Sequence, residues 1–151
     1  MELSAFGDHP FVRTLSPEQV DRLASCARDA RFRRGEFIFR EGGAADTVYL
    51  LNRGCVALEQ QVPGRGAVTV ESLCAGDILG LSWLFPGSSW MADARCLEPV
   101  ETFALDVACL HERMDDDQAL ARQILTQLVR ALYQRLERVR LQRLDVYKVE
   151  G

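Results

Sequence analysis

The chain has 151 residues, 48% apolar and 26% charged, with a net charge of −4 at neutral pH. That length suits one domain, or one domain and a long helix. The charge argues against a general nucleic-acid-binding surface, and no run approaches the roughly 18 apolar residues of a membrane helix. Met1 to Asp8 carries neither a basic patch nor an apolar segment, so no secretory leader is read and a cytoplasmic location is expected.

His9 to Val12 reads as an irregular entry. Ser16-Pro17-Glu18-Gln19 then starts a helix: Ser16 caps, Pro17 takes the first position and Gln19 closes a capping box. Val20, Leu23, Ala24 and Ala27 form its apolar stripe, to about Arg28. Strands follow at Arg31–Arg33, Phe37–Phe39 and Thr47–Leu51. Cys55–Val62 pairs with Ala67–Leu73 across the turn residues Pro63-Gly64-Arg65-Gly66. Trp90–Cys96 and Val100–Leu105 complete the strands. Short strands at this spacing, with helices at the two ends, predict a mainly β, α+β fold of the small-barrel or jelly-roll type.

Asp106 caps a short helix toward Met114, and Asp115-Asp116-Asp117 is placed at the positive end of the next one. That terminal helix is predicted from about Asp116 to Val146, with Leu120, Ile124, Leu125, Leu128, Leu132, Leu136, Val139 and Leu144 at three- and four-residue steps. About 30 residues of helix span about 45 Å, more than so small a barrel covers. The excess apolar length calls for a partner, and a homodimer through residues 120–146 is expected. Arg130, Arg135, Arg138, Arg140, Arg143 and Lys148 make this helix basic.

Cys26, Cys55, Cys74, Cys96 and Cys109 are odd in number and contain no Cys-x-x-Cys pair. They read as small buried apolar residues rather than a disulfide framework or a zinc site. His9 and His111 are the only histidines. Neither stands near a nucleophile motif or in metal-ligand spacing, so neither catalysis nor a metal is expected.

Between the last hairpin and the Trp90 strand lies Gly76-Asp77-Ile78-Leu79-Gly80-Leu81-Ser82-Trp83-Leu84-Phe85-Pro86-Gly87-Ser88-Ser89-Trp90. It reads as a strand, a glycine, one helical turn stopped by Pro86, and a return strand. A turn placed after a glycine leaves backbone N–H groups free for an anion.

Residues 35–56 contain Gly35-Glu36-Phe37-Ile38, Glu41-Gly42, Asp46-Thr47-Val48-Tyr49 and Gly54-Cys55-Val56. With the glycine-flanked stretch that follows, this resembles a cyclic nucleotide-binding domain of the catabolite activator and Fnr type, from His9 to Val146. The resemblance implies a β-roll over residues 9–114 and a long dimerisation helix over 115–147. It also implies a phosphate-binding cassette at the glycine-flanked stretch, where the family carries a Glu for the ribose hydroxyl and an Arg for the cyclic phosphate. Here Leu81 stands at the Glu position and Gly87 at about the Arg position.

A buried phosphate left without its cation costs about 3–5 kcal/mol, roughly a hundredfold to several thousandfold in affinity. Ordinary tight binding of cyclic AMP or cyclic GMP is therefore not expected. Arg95 is eight residues from Gly87, about 26 Å along an extended strand, and is a poor substitute. The family also borrows contacts from its long helix, and the comparable positions here are Gln134 and Arg135. The candidate pocket is accordingly Gly80, Leu81, Ser82, Gly87, Ser88, Ser89, Trp90 and Arg135, for a nucleotide or small anion. The alternative is an empty pocket filled by Leu81 and Trp83.

In the bacterial regulators that this chain resembles, the helix ends in Leu-Asp-Val before a winged helix-turn-helix. Here Leu144-Asp145-Val146 is followed by five residues, so no DNA binding by this chain alone is expected. Two functions follow from the resemblance. One is a regulatory sensor module with an altered ligand. The other is a dimeric accessory subunit docked on a larger enzyme, for example a soluble hydrogenase, which exposure of Trp83, Phe85 or Trp90 would favour.

Overall fold

The computed structural model describes residues 1–85 and 87–150, and the side chains of all of these except residues 143 and 145–150. Pro86, read as the stop of the central turn, lies outside the described residues, as do the side chains of Asp145, Val146 and Lys148.

Helices α1 (Leu3–Asp8) and α2 (Pro17–Ala24) precede eight strands. These are β1 (Ala27–Phe32), β2 (Phe37–Phe39), β3 (Thr47–Arg53), β4 (Cys55–Val62), β5 (Gly66–Cys74), β6 (Ile78–Leu79), β7 (Asp93–Cys96) and β8 (Val100–Asp106). Helices α3 (Val107–Asp116) and α4 (Gln118–Glu150) close the chain. The strands form two four-stranded antiparallel sheets, ordered β1-β8-β3-β6 and β2-β7-β4-β5. This is the β-roll arrangement of two facing sheets, and it is not closed into a barrel.

The core has two layers, and β3 shows why. Successive strand residues point to opposite faces. Tyr49 and Leu51 enter the layer between the sheets with Val56, Leu73, Leu79 and Ala94. Val48 and Leu50 enter the layer under the helices with Phe6, Leu23, Phe103, Leu110, Leu120, Ile124 and Leu128. Gly54 makes the tight β3–β4 turn at φ +89°, where a Cβ would lie 2.3 Å from the Pro99 carbonyl oxygen. Only glycine fits there.

The Ser16 capping box is present, and Asp106 accepts the Cys109 N–H at 2.9 Å as the cap of α3. Several boundaries differ from the sequence reading. His9 to Val12 is a turn outside any helix or strand, as read, but the short helix α1, which was not read, precedes it, and together they bury Phe6, Phe11 and Val12. Helix α2 ends at Ala24, and Ala27 opens β1, a longer strand than Arg31–Arg33. The last-but-one strand starts at Asp93, because Trp90 turns inward instead of continuing the ladder. The aspartate triplet divides. Asp115 and Asp116 belong to the last turn of α3, and Asp117 alone caps α4, accepting from the Leu120 N–H at 3.0 Å. That hydrogen bond, then Arg22 at 2.7 Å, holds the Asp117 carboxyl below the usual range.

The cysteines differ most. Cys26 is bonded to Cys109, and Cys55 to Cys74, leaving Cys96 as the buried free thiol. The first pair is 83 positions apart in sequence and meets only because the turn between α2 and β1 lies against α3. The second is brought opposite by the β4–β5 register. Neither follows from spacing. Burial first, then Glu36, pushes the Cys96 thiol up to about 11, so it stays protonated.

His9 is a core residue. Its Nε2–H donates to the Leu51 carbonyl at 3.0 Å while Nδ1 accepts the Phe11 N–H at 3.1 Å, which fixes the neutral ring. Burial lowers its pKa to about 4. A folded pKa below the unfolded value near 6.5 stabilises the fold fully above pH 6.5, and that contribution disappears as pH falls toward 4. The loss is on the order of 3 kcal/mol. Urea midpoints at pH 7.5, 5.5 and 4.5 are expected to fall more steeply for the natural protein than for His9→Asn. Parallel profiles would contradict this.

Candidate functional site

Strand β6 is followed by Gly80, which has φ +95° and lies so close to Trp90 that a Cβ would sit 2.8 Å from the indole ring. Beyond it, Leu81 leads into a three-residue 3-10 turn, Ser82–Leu84. Trp83, buried in the helix-side core, anchors the turn, and its indole N–H has no hydrogen-bond partner among the described residues. His111 packs edge-on against it at 5.3 Å. The loop then returns with Gly87 at φ +72°. Two backbone bonds tie Trp90 to the β2–β3 loop: its N–H donates to Gly43 at 2.8 Å and its carbonyl accepts from Gly42 at 2.9 Å.

This anchoring swings the Trp90 ring inward. It stacks on Phe39 at a centroid distance of 4.0 Å and an interplanar angle of 11°, and is only 6% exposed. The alternative, a pocket filled by Leu81 and Trp83, divides: Trp83 is buried in the helix-side core, Leu81 packs against that core and also lines the hollow, and the tryptophan that faces Gly80 is Trp90.

A shallow hollow of ≈ 160 Å³ remains at the mouth, lined by Gly80, Leu81, Ser82, Trp90 and Arg135 together with Phe39, Leu58, Leu79, Met91 and Ala92. Small-molecule sites usually offer about 300–1,000 Å³, so the hollow is undersized and mainly apolar. Five of the eight candidate residues are thus brought together. Gly87, Ser88 and Ser89 are not among its walls. The Ser88 hydroxyl donates to the Phe85 carbonyl at 2.6 Å, and Ser89 bridges to Ala44. Both serines are used in holding the loop.

Arg135 reaches the mouth from α4, as the resemblance implied, but it arrives paired. Its Nε and Nη2 donate to the two carboxylate oxygens of Glu71 at 2.7 and 2.5 Å. The pair is bidentate and partly buried, the stronger geometry for such a bond. Glu71 had no signal in the sequence, since it lies 64 positions away on β5. Arg95 is likewise engaged, donating to Glu59 at 2.9 and 3.0 Å. Neither guanidinium reaches the hollow free of a carboxylate.

Comparison with known proteins agrees with the fold. The sequence profile of the cyclic nucleotide-binding domain matches residues 30–117. The cGMP-dependent protein kinase egl-4 is 28% identical over 96 residues in Caenorhabditis briggsae and 27% in Caenorhabditis elegans. Each alignment covers 64% of this chain but 12% of the kinase, so the chain spans only a small part of those relatives. A structure from Geobacter metallireducens, assigned as a cyclic nucleotide-binding protein, superposes with a TM-score of 0.80 at 28% identity, covering 90% of this chain and 98% of that one. The sensor domain of the transcriptional regulator DNR from Pseudomonas aeruginosa gives 0.70 at 22% identity, with 89% and 90% covered. The N-terminal domain of a transcriptional regulator from Streptomyces coelicolor gives 0.71 at 21%, with 89% and 94% covered. At those identities the last two establish the fold alone.

Proposed function

The chain belongs to the cyclic nucleotide-binding domain family, and we propose that it is a non-catalytic regulatory module whose ligand site no longer grips cyclic AMP or cyclic GMP in the family's usual way. One observation carries this reading: the Trp90 ring, stacked on Phe39 and pressed against Gly80, occupies the space behind the cassette. The Leu81 and Gly87 substitutions support it, because neither can take a ribose hydroxyl or a phosphate charge. The Arg135–Glu71 pair supports it further, since an incoming phosphate must first displace a bonded carboxylate. A small anion or a differently shaped nucleotide at Gly80, Ser82 and Arg135 is the ligand class kept open by the hollow.

Calorimetric titration with cyclic AMP and cyclic GMP tests this directly. Binding is expected to be absent or millimolar. Saturable micromolar binding of either would overturn the reading.

The division into a sensor unit over residues 9–114 and an output helix over 115–147 follows the same proposal. Helix α4 carries the signal and the dimer contact, with no DNA contact made by these residues alone. A cytoplasmic location fits the family's regulators; in that reducing compartment the two cysteine pairs would stand as dithiols. Among the described residues no helix is long and apolar enough to cross a membrane.

The accessory-subunit reading retains one supporting observation. Trp83 and Trp90 are buried, but Phe85 is 68% exposed on the cassette loop, and Met91 is exposed beside the hollow. A partner protein would cover these two side chains.

A further inference from the structure

A second concavity, sharing only Arg135 with the cassette hollow, lies where α4 passes over the Pro10–Thr14 turn and the Gly76–Ile78 bend. It measures ≈ 390 Å³, within the range of small-molecule sites. Four guanidinium groups line it: Arg13 from the turn, and Arg130, Arg135 and Arg138 from one face of α4. Two carboxylates answer them. Glu71 takes Arg135, and Asp77 lies 3.5 Å from Arg138 while its other oxygen accepts the Cys74 N–H at 2.8 Å. Arg13 and Arg130 are exposed and have no carboxylate partner among the described residues. The cleft therefore holds a surplus of two positive charges on a chain whose net charge is −4.

Gln127, a largely buried amide at 6% exposure, lines the same cleft and adds a neutral hydrogen-bonding group to the arginines.

We propose that this cleft binds a compact polyanion bearing two or more linked phosphates, gripped by Arg13, Arg130 and Arg138 and oriented by Gln127. Arginine suits this chemistry because its planar fork meets phosphate oxygens two at a time. Arg130 and Arg138 spring from points about 12 Å apart along the helix, so a chain of phosphates spans them better than a single one does. Occupancy would tie α4 to the body of the domain at its middle. None of Arg13, Gln127, Arg130 and Arg138 lines the cassette hollow.

The test uses the full chain in 50 mM salt with inorganic tripolyphosphate, orthophosphate, sulfate and a nucleoside triphosphate as probes, read by calorimetry and thermal shift. Tripolyphosphate is expected to bind saturably and to raise the melting temperature more than sulfate at equal ionic strength. Tighter binding of the nucleoside triphosphate would identify a nucleotide's phosphate tail as the ligand; equal binding would identify free polyphosphate. The double variant Arg13→Ala/Arg130→Ala should lose at least tenfold in affinity, while Arg34→Ala, a surface arginine outside the cleft, should lose none. Both removed side chains are exposed and unpaired, so the fold should survive, which circular dichroism checks. Unchanged affinity in the double variant, or equal shifts with sulfate, would overturn the proposal. A change in molecular mass in place of affinity would do so too, since it would mark the cleft as a protein contact.

Discussion

Trp90→Ala is expected to lower the unfolding free energy by about 3–5 kcal/mol, the usual loss for a buried aromatic truncated in a packed core. The ring is stacked on Phe39 and almost fully enclosed, so little of the space left behind can collapse. Gly80→Ala should also destabilise, for two separable reasons: its backbone lies at φ +95°, and its new Cβ would meet the indole at 2.8 Å. In the Trp90→Ala background the second reason vanishes and the first remains. A double-mutant cycle by urea denaturation should therefore give a favourable coupling of roughly 1 kcal/mol or more. Simple additivity would mean that the ring does not press on Gly80. Trp90→Ala also enlarges the cassette hollow, so any gain of cyclic nucleotide binding in this variant would identify the indole as the occluding group.

The second large effect is expected at α4. Leu125, Val129, Leu132, Leu136 and Val139 are all exposed and recur at steps of four, three, four and three. That is the 3.5-residue period of a two-helix seam. The residues flank the face of Leu120, Ile124 and Leu128, which are buried against the chain's own core. A parallel pair of α4 helices from two copies would cover this stripe. Light scattering at micromolar concentration is expected to give a dimer mass for the natural protein and a monomer mass for Leu132→Asp, because a charge in the seam loses its water without a partner. The substitution is on an exposed site, so the β-roll should keep its far-ultraviolet spectrum. A monomeric natural protein, or a Leu132→Asp dimer, would rule out this seam.

The same helix separates what was readable in one dimension from what was not. Its apolar steps predicted a long amphipathic element, and the structure has it as α4. Period could not divide the leucines. Leu120, Ile124 and Leu128 are satisfied by α1, α2 and the first sheet, whereas Leu125, Leu132 and Leu136 are left outside. The residues expected at the dimer contact over 120–146 are thus only partly available for it. Its start also moved from Asp116 to Gln118, because Asp116 finishes α3.

The candidate site shows the same division. That Leu81, Ser82, Ser88 and Ser89 bring no charge to the cassette could be read without coordinates, since charge is a property of the residue. What occupies the volume behind it could not. Trp90 read as a strand residue, and its inward turn depends on backbone bonds to Gly42 and Gly43, some 47 positions earlier. Arg135 was placed near the mouth by resemblance, but its neutralisation by Glu71 needed the β5 register against α4.

By itself, then, the amino-acid order determined the β-roll family, the cap residues and the glycine turns. Each depends on residue identity or on neighbours a few positions apart. Tertiary structure decided which apolar side chains were already covered, which arginines were paired, that His9 is a core residue and that four cysteines meet in pairs. Those outcomes turn on which distant segments share one volume, and side-chain exposure and charge pairing exist only once the chain has closed on itself.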